Sequence, residues 1–351
     1  MKKLYALVLV AALSTVALRS NAQDGFNDLL KSNAADATLL FKNYANPLFK
    51  GFGTGLNSGW NNTADTKKLL HFDLRITANA AFVPTVDKSF DVTKIGLSNR
   101  VRVDGSSTTN IAPTFGGKKD VNTPVMALYD NNNNKLGTFQ MPDAVLSVIP
   151  APNIQLTVGL IKNTDLSLRI TPDIKLSDDA GTVGMFGFGF KHNIIKDFTK
   201  VSPFDLAVAV NYSRINYSKG LDVANEDGTS NANNNQRIDA KFSGVNVQAI
   251  ISKKLLFFTP FLSVGYQTAK TDFGVLGKYV VRSGGVPSGN PSTPITYTYT
   301  TLTDPVHINE NSISGLRTDI GFQMNLAVFR IYASGSLGQY KSVNGGIGFG
   351  F

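Results

Sequence analysis

From His71 to the carboxyl terminus, apolar and polar residues alternate in stretch after stretch. Between 71 and 83, Phe72, Leu74, Ile76, Ala78, Ala80 and Phe82 are interleaved with Asp73, Arg75, Thr77, Asn79 and Ala81. A period of two is that of a strand with one greasy and one wet face. The pattern returns at 153–161, 165–176, 181–191, 204–217, 237–251, 257–272, 314–326, 329–340 and 343–351, so ten strands are explicit. Within 237–251 the apolar phase slips, from Ile238, Ala240 and Phe242 to Val245, Val247, Ala249 and Ile251, and a bulge is expected at Gly244. Upstream, Phe26, Leu29, Leu30, Ala37, Leu40 and Tyr44 recur at helical spacing over 24–44. Pro47 is the expected stop, and the glycines from Gly51 to Gly59 read as a flexible linker.

Alternation alone would also suit a soluble sandwich. Three features favour a closed barrel in a membrane. The alternating segments are longer than the five or six residues, roughly, of a sandwich strand and match the roughly nine to eleven that a tilted strand needs to cross a bilayer. Charges such as Asp73, Arg75, Arg169, Asp173, Asp239, Lys241, Arg317 and Asp319 fall mid-strand, where a barrel would turn them to its lumen. Connections come in two sizes: tight turns at 162–164, 252–254 and 327–328, and long polar loops at 218–236 and 273–313. Short turns on one rim and long loops on the other are the plan of an outer-membrane barrel. The stretches 88–103, 125–130, 135–141, 278–281 and 295–302 can add strands in pairs, so the expected total is ten, twelve or fourteen. A short amphipathic helical turn is expected over 192–201 at the short-turn rim. The fold class is therefore all-β, a transmembrane antiparallel up-and-down β-barrel with an N-terminal helical, plug-like segment.

The amino terminus carries Lys2 and Lys3, an apolar run from Leu4 to Leu18, and Ser20, Asn21 and Ala22, the form of a cleaved secretory signal. The expected organisation is a signal peptide over 1–22, a periplasmic or plug segment over 23–66, and an outer-membrane barrel over 67–351. The 351 residues hold no cysteine, which excludes disulfides, thiolate metal sites and a cysteine nucleophile. Removing Lys2, Lys3 and Arg19 with the signal lowers the net charge from +9 to +6, with no basic tract interleaved with aromatics, so nucleic acid is not an expected partner. A mean hydropathy of −0.03 is the average of two opposite faces. At the other end, Val343, Gly345, Ile347, Phe349 and Phe351 share one face. A last strand ending on Phe349 and Phe351 resembles the signal read by the barrel-assembly machinery of Gram-negative outer membranes. The expected partners are that machinery and outer-membrane lipid.

Catalysis needs a base or a metal ligand, and the chain has three histidines. His71 and His192 fall at the short-turn rim and His307 in a long loop, so they form no cluster. His307 with Asp304 and Glu310 is the one constellation that outer-membrane hydrolase chemistry would use, and no enzyme, metal or cofactor is expected. Asn131 to Asn134 reads as a hairpin tip. Inward arginines, Arg75, Arg169, Arg237 and Arg317, are the candidate ligand-binding residues, able to fork onto the carboxylate of an anionic amphiphile. The alternative is that Asp73, Asp173, Asp239 and Asp319 neutralise them and fill the lumen.

Several stretches resemble a family of Bacteroidota outer-membrane barrels of uncharacterised function, itself distantly similar to the long-chain fatty-acid transporter barrels. They are Asn43-Tyr44-Ala45-Asn46-Pro47, Gly55-Leu56-Asn57-Ser58-Gly59-Trp60-Asn61-Asn62-Thr63-Ala64, Ala112-Pro113-Thr114-Phe115-Gly116, and Gly189-Phe190-Lys191-His192-Asn193-Ile194 followed by Pro203-Phe204-Asp205-Leu206. The resemblance implies a barrel with an amino-terminal hatch, for which residues 23–66 would be the analogue, and passage or binding of a small hydrophobic solute. The competing expectation is a structural barrel with a closed lumen whose loops bind a partner.

Overall fold

A computed structural model describes residues 29–177, 181–199, 201–290 and 293–351. The expected signal peptide and the first part of the expected helix lie outside these residues. The described chain opens with a 3-10 turn (Leu29–Lys31), followed by helix α1 (Ala34–Leu56) and strand β1 (Phe72–Phe82). An excursion then carries β2 (Ser89–Asp91), β3 (Val101–Val103), β4 (Ile111–Pro113), β5 (Val125–Tyr129), β6 (Lys135–Gln140) and β7 (Val148–Pro150). There follow β8 (Asn153–Gly159), β9 (Thr164–Ser177), β10 (Gly181–Asn193), the short helix α2 (Ile195–Phe198), β11 (Asp205–Gly220), β12 (Arg237–Ser252) and β13 (Phe258–Leu276). A hairpin of β14 (Lys278–Asn290) and β15 (Thr293–Thr303) precedes β16 (Val306–Leu326), β17 (Phe329–Leu337) and β18 (Lys341–Gly350).

Ten of these strands form one antiparallel wall, in the order β1, β8, β9, β10, β11, β12, β13, β16, β17, β18. Pairing of β18 back onto β1, with Ile76 opposite Ile347, closes it into a barrel, and the short β7 prolongs the wall above β8 by pairing with Ala80–Phe82 of β1. The ten are the ten alternating segments of the sequence. The additional candidate strands form as well, but outside the wall: β2 with β4, β3 with β5 and β6, and β14 with β15 make three small sheets among the long loops.

The wall is inside out relative to a soluble protein. Outward positions hold Phe186, Phe188, Phe190, Val210, Val247, Val264 and Ile320, all exposed. Inward positions hold Asn79, Gln155, Ser167, Asn211, Gln248, Gln267 and Asn344, all buried. Polar inside and apolar outside is the arrangement that lipid requires of a spanning barrel.

No bulge occurs at Gly244. Registers run unbroken through Ser213, Gly244 and Ala269, and even-numbered residues face inward from Ala240 to Ser252. What changes is the chemistry of the lumen. Ile238, Ala240 and Phe242 point into an apolar half, Asn246 and Gln248 into a polar half. The glycine is there for space, since a Cβ at 244 would lie 2.8 Å from Asn57 Oδ1.

What fills the lumen is α1. Asn33 caps it, its Oδ1 accepting from Asp36 N at 3.0 Å. The helix then runs through Pro47 and on through Gly51, Gly53 and Gly55 to Leu56, against the expectation of a stop and a flexible linker. Close packing explains this. A Cβ on Gly51, Gly53 or Gly55 would stand 2.4 Å from Ile149, 2.6 Å from Ala269 and 2.3 Å from Ala151, so the backbone itself lies against the wall. Apolar side chains face the upper lumen, where the Phe49 ring lies tilted against Phe273 at 5.5 Å and Phe52 against Phe242 at 5.2 Å. The excursion between β1 and β7 closes over that end, adding Val92, Val101, Met126 and Phe139 to the same core.

The start of α1 lies at the long-loop end, where Lys42 pairs with Glu310 at 2.7 Å. Lys50 Nζ meets Asp87 Oδ2 at 2.9 Å, and Tyr340 OH donates to the same atom at 2.8 Å. Burial and this bond push the Tyr340 phenol up. Residues 57–71 continue toward the short-turn end, where Ala64 N donates to Ser252 Oγ at 2.9 Å and Lys67 N to Asp165 Oδ1 at 2.8 Å. The expected helical turn at that rim is reduced to α2, four residues with Phe198 exposed.

Candidate functional site

Inward-facing strand positions place Arg75 on β1, Arg169 on β9 and Arg317 on β16, each at most 4% exposed. All three converge on the carboxyl end of α1 and the turn after it. Arg169 donates from Nη1 to Leu56 O at 3.2 Å, from Nη2 to Ser58 O at 2.9 Å and from Nε to Gln155 Oε1 at 3.0 Å. Arg75 Nη2 donates to Trp60 O at 2.7 Å. Arg317 Nη1 reaches Thr54 O at 3.4 Å and Nη2 reaches Ser58 Oγ at 3.0 Å. The last carbonyls of a helix lack intrahelical partners and carry the negative end of its dipole. The arginines supply those partners, so they latch the plug rather than line an open cavity.

The four candidates part company here. Arg237 is not in the lumen: it sits at the outer face of β12, half-exposed, paired with Asp239 at 2.9 Å. Arg317 has its expected carboxylate, Asp319, at 2.7 Å, and Arg75 has Asp73 at 3.7 Å. Asp173 does not neutralise Arg169. The pairing of β9 with β10 is irregular between Val183 and Met185, and Asp173 ends up exposed. For Arg169 the helix carbonyls and a ring take the carboxylate's place.

That ring is Trp60, the single tryptophan of the chain. Its indole lies under the Arg169 guanidinium at 3.8 Å, and its Nε1 donates to Leu56 O at 3.0 Å. Two glycines of β10 make the room: a Cβ on Gly187 or Gly189 would come within 3.2 Å of the indole. Trp60 escaped the sequence reading. Its signal was present in Gly187 and Gly189 alternating with Phe186, Phe188 and Phe190, since glycine repeating on one face of a strand marks close approach by something bulky.

Below the latch, Asp73 gathers Arg330 at 2.6 Å and accepts from Tyr332 OH at 2.9 Å, while Lys191 pairs with Asp165 at 3.0 Å. The lumen is thus occupied by the plug and by paired charge. Phe349 packs edge-on against Phe329 of β17, and Phe351 edge-on against Phe72 of β1, across the seam where the barrel closes. The histidine constellation does not assemble. His307 is exposed with Asp272 4.0 Å away, Glu310 is taken by Lys42, and Asp304 accepts from Gly277 N. Among the described residues no group of three acidic or histidine side chains is placed to hold a metal.

A search of curated proteins returns no match. Solved structures similar to this chain include the outer-membrane protease OmpT of Escherichia coli, at 8% identity and a TM-score of 0.31, covering 84% of this chain and 100% of that one. The translocator domain of the autotransporter NalP of Neisseria meningitidis is similar at 9% identity and a TM-score of 0.29, over 90% of this chain and 97% of that one. The Ralstonia pickettii toluene transporter TbuX is similar at 8% identity and a TM-score of 0.23, over 82% and 90%. Likeness at this level says nothing of activity. One family model spans the entire sequence, residues 1–351, and the chain belongs to that family, a family of unknown function (DUF6588).

Proposed function

We propose that this chain is an outer-membrane barrel, closed at rest by its own amino-terminal helix, that passes or binds a small solute when the helix gives way. The observation that carries the reading is the latch: three buried arginines from three separate strands all hold the end of one helix inside the lumen. A barrel that needed only stability could fill its lumen with wall side chains. Here the filler is a separate element joined to the wall by 57–71. The long-loop end then faces outside and the short-turn end the periplasm. The solute's hydrophobic character is supported by the resemblance to the fatty-acid transporter barrels and by the apolar upper lumen around Phe49, Phe52, Phe242 and Phe273.

Deleting residues 23–50 and recording planar-bilayer conductance tests this. Wild-type chain is expected to be silent and the deletion to conduct. A deletion that assembles and stays silent would favour the second reading, a structural barrel whose loops bind a partner. That reading has its own support in the three small loop sheets, which add ordered surface at the long-loop end.

The expected role of Phe349 and Phe351 is separable from passage. Removing Phe351 is expected to lower assembly yield in vivo while leaving refolding in detergent intact. Equal yields of heat-modifiable barrel from both forms in cells would remove the assembly role.

A further inference from the structure

We infer that the long-loop end carries a binding site for a compact organic carboxylate, separate from the latch. Three elements that take no part in the barrel wall enclose a cavity of about 380 Å³ there: the segment before α1, the β3–β5–β6 sheet and the β14–β15 hairpin. That volume falls within the roughly 300–1,000 Å³ of small-molecule pockets. Its lining includes two arginines, Arg100 and Arg282, and no carboxylate.

Neither guanidinium is consumed by its surroundings. Arg100 donates Nε to Tyr129 O at 3.2 Å and reaches Ser283 O from Nη2 at 3.4 Å, which orients it without neutralising it. Arg282 lies over the Tyr297 ring at 4.4 Å, and its buried Nε has no hydrogen-bond partner. The nearby acids are committed elsewhere. Asp130 accepts from Asn132 N and from Asn134, and Asn134 holds its carboxyl below the usual range. Glu226 accepts from the backbone amide of Arg282 at 2.6 Å.

Two uncompensated guanidiniums select a carboxylate, which they can grip by forked hydrogen bonds. The rest of the lining divides between carbon, at Val101, Leu128 and Leu302, and neutral polar groups, at Asn131 and Thr300. That suits a compact ring-bearing body better than a long alkyl chain. Asn33, the cap of α1, is part of the same wall, so an occupant would touch the plug's first turn.

The site goes beyond the passage reading and does not depend on it, because binding is measurable in a barrel that never conducts. Calorimetric titration of the full chain in neutral detergent with 2-naphthoate, and with uncharged 2-naphthamide as comparator, tests it. Naphthoate is expected to bind and naphthamide not, and Arg100→Gln or Arg282→Gln should each weaken naphthoate binding about tenfold. Arg237→Gln, a change at an exposed arginine elsewhere on the long-loop side, should leave it unchanged. Equal binding of the amide, no binding of naphthoate, or undiminished binding by both cavity variants with wild-type melting would overturn the inference.

Discussion

Arg169→Met is expected to turn a silent barrel into one that opens intermittently. Methionine keeps the unbranched apolar stem of the side chain but is shorter and offers no donor, so Ser58 O and Gln155 Oε1 each lose a charged partner and Trp60 loses its cation. Each hydrogen bond to a charged group contributes about 1.5–3 kcal/mol. Losing this set costs the plugged state about 3 kcal/mol or more, roughly two decades in the ratio of plugged to open barrel. Because Trp60 is the single tryptophan, its emission reports the same event. A red shift toward water-exposed indole should accompany conductance bursts. Arg169→Lys, which retains charge but cannot fork, should fall between wild type and methionine. An Arg169→Met barrel with unchanged emission and no conductance would show that the latch is not what holds the plug.

A second expectation inverts the usual behaviour of helix glycines. In an exposed helix, Gly→Ala stabilises by about 1 kcal/mol. Gly55→Ala should instead destabilise the barrel, because its new methyl would lie 2.3 Å from the Ala151 methyl. Overpacking of this kind costs about 1–3 kcal/mol, more than the helix propensity returns. Ala151→Gly removes the atom that is struck, so the double variant Gly55→Ala with Ala151→Gly should recover most of the loss. Thermal melting of the two single variants and the double variant, followed through Trp60, measures the coupling. If Gly55→Ala melts at or above wild type, α1 does not lie against the wall at that point.

The wall was legible because a spanning strand has two faces in two different solvents, and alternation records both. Phe186, Phe188 and Phe190 could point nowhere but to lipid once their neighbours were glycines. The same parity correctly turned Arg75, Arg169 and Arg317 inward. It failed at Arg237 for a physical reason. Toward the long-loop end the outside of the barrel meets water and the inside meets the apolar half of α1, so the rule that polar means lumen reverses. Ile238, Ala240 and Phe242 face in there, and Arg237 and Lys241 face out. What read as a slip of phase at Gly244 was this change of surroundings along an unbroken strand.

Local propensity was the weaker guide in the plug. Pro47 and the glycines at 51, 53 and 55 are poor helix residues in water, and a stop followed by a linker was the reading they invited. Inside the barrel the balance differs, because the wall encloses the helix and rewards a backbone slim enough to lie against Ile149, Ala269 and Ala151. Short-range preference lost to long-range packing.

An alternating wall of at least ten strands with a greasy outside, a set of inward arginines and a helix-forming amino-terminal segment are each written in residues near one another in the chain; that the wall closes at ten was settled by pairing between distant strands. What those arginines hold depends instead on how distant segments pack. Their partners are backbone carbonyls at Leu56, Ser58 and Trp60, which every sequence possesses and none advertises, and they become acceptors for these donors only when α1 ends at the level of Arg75, Arg169 and Arg317.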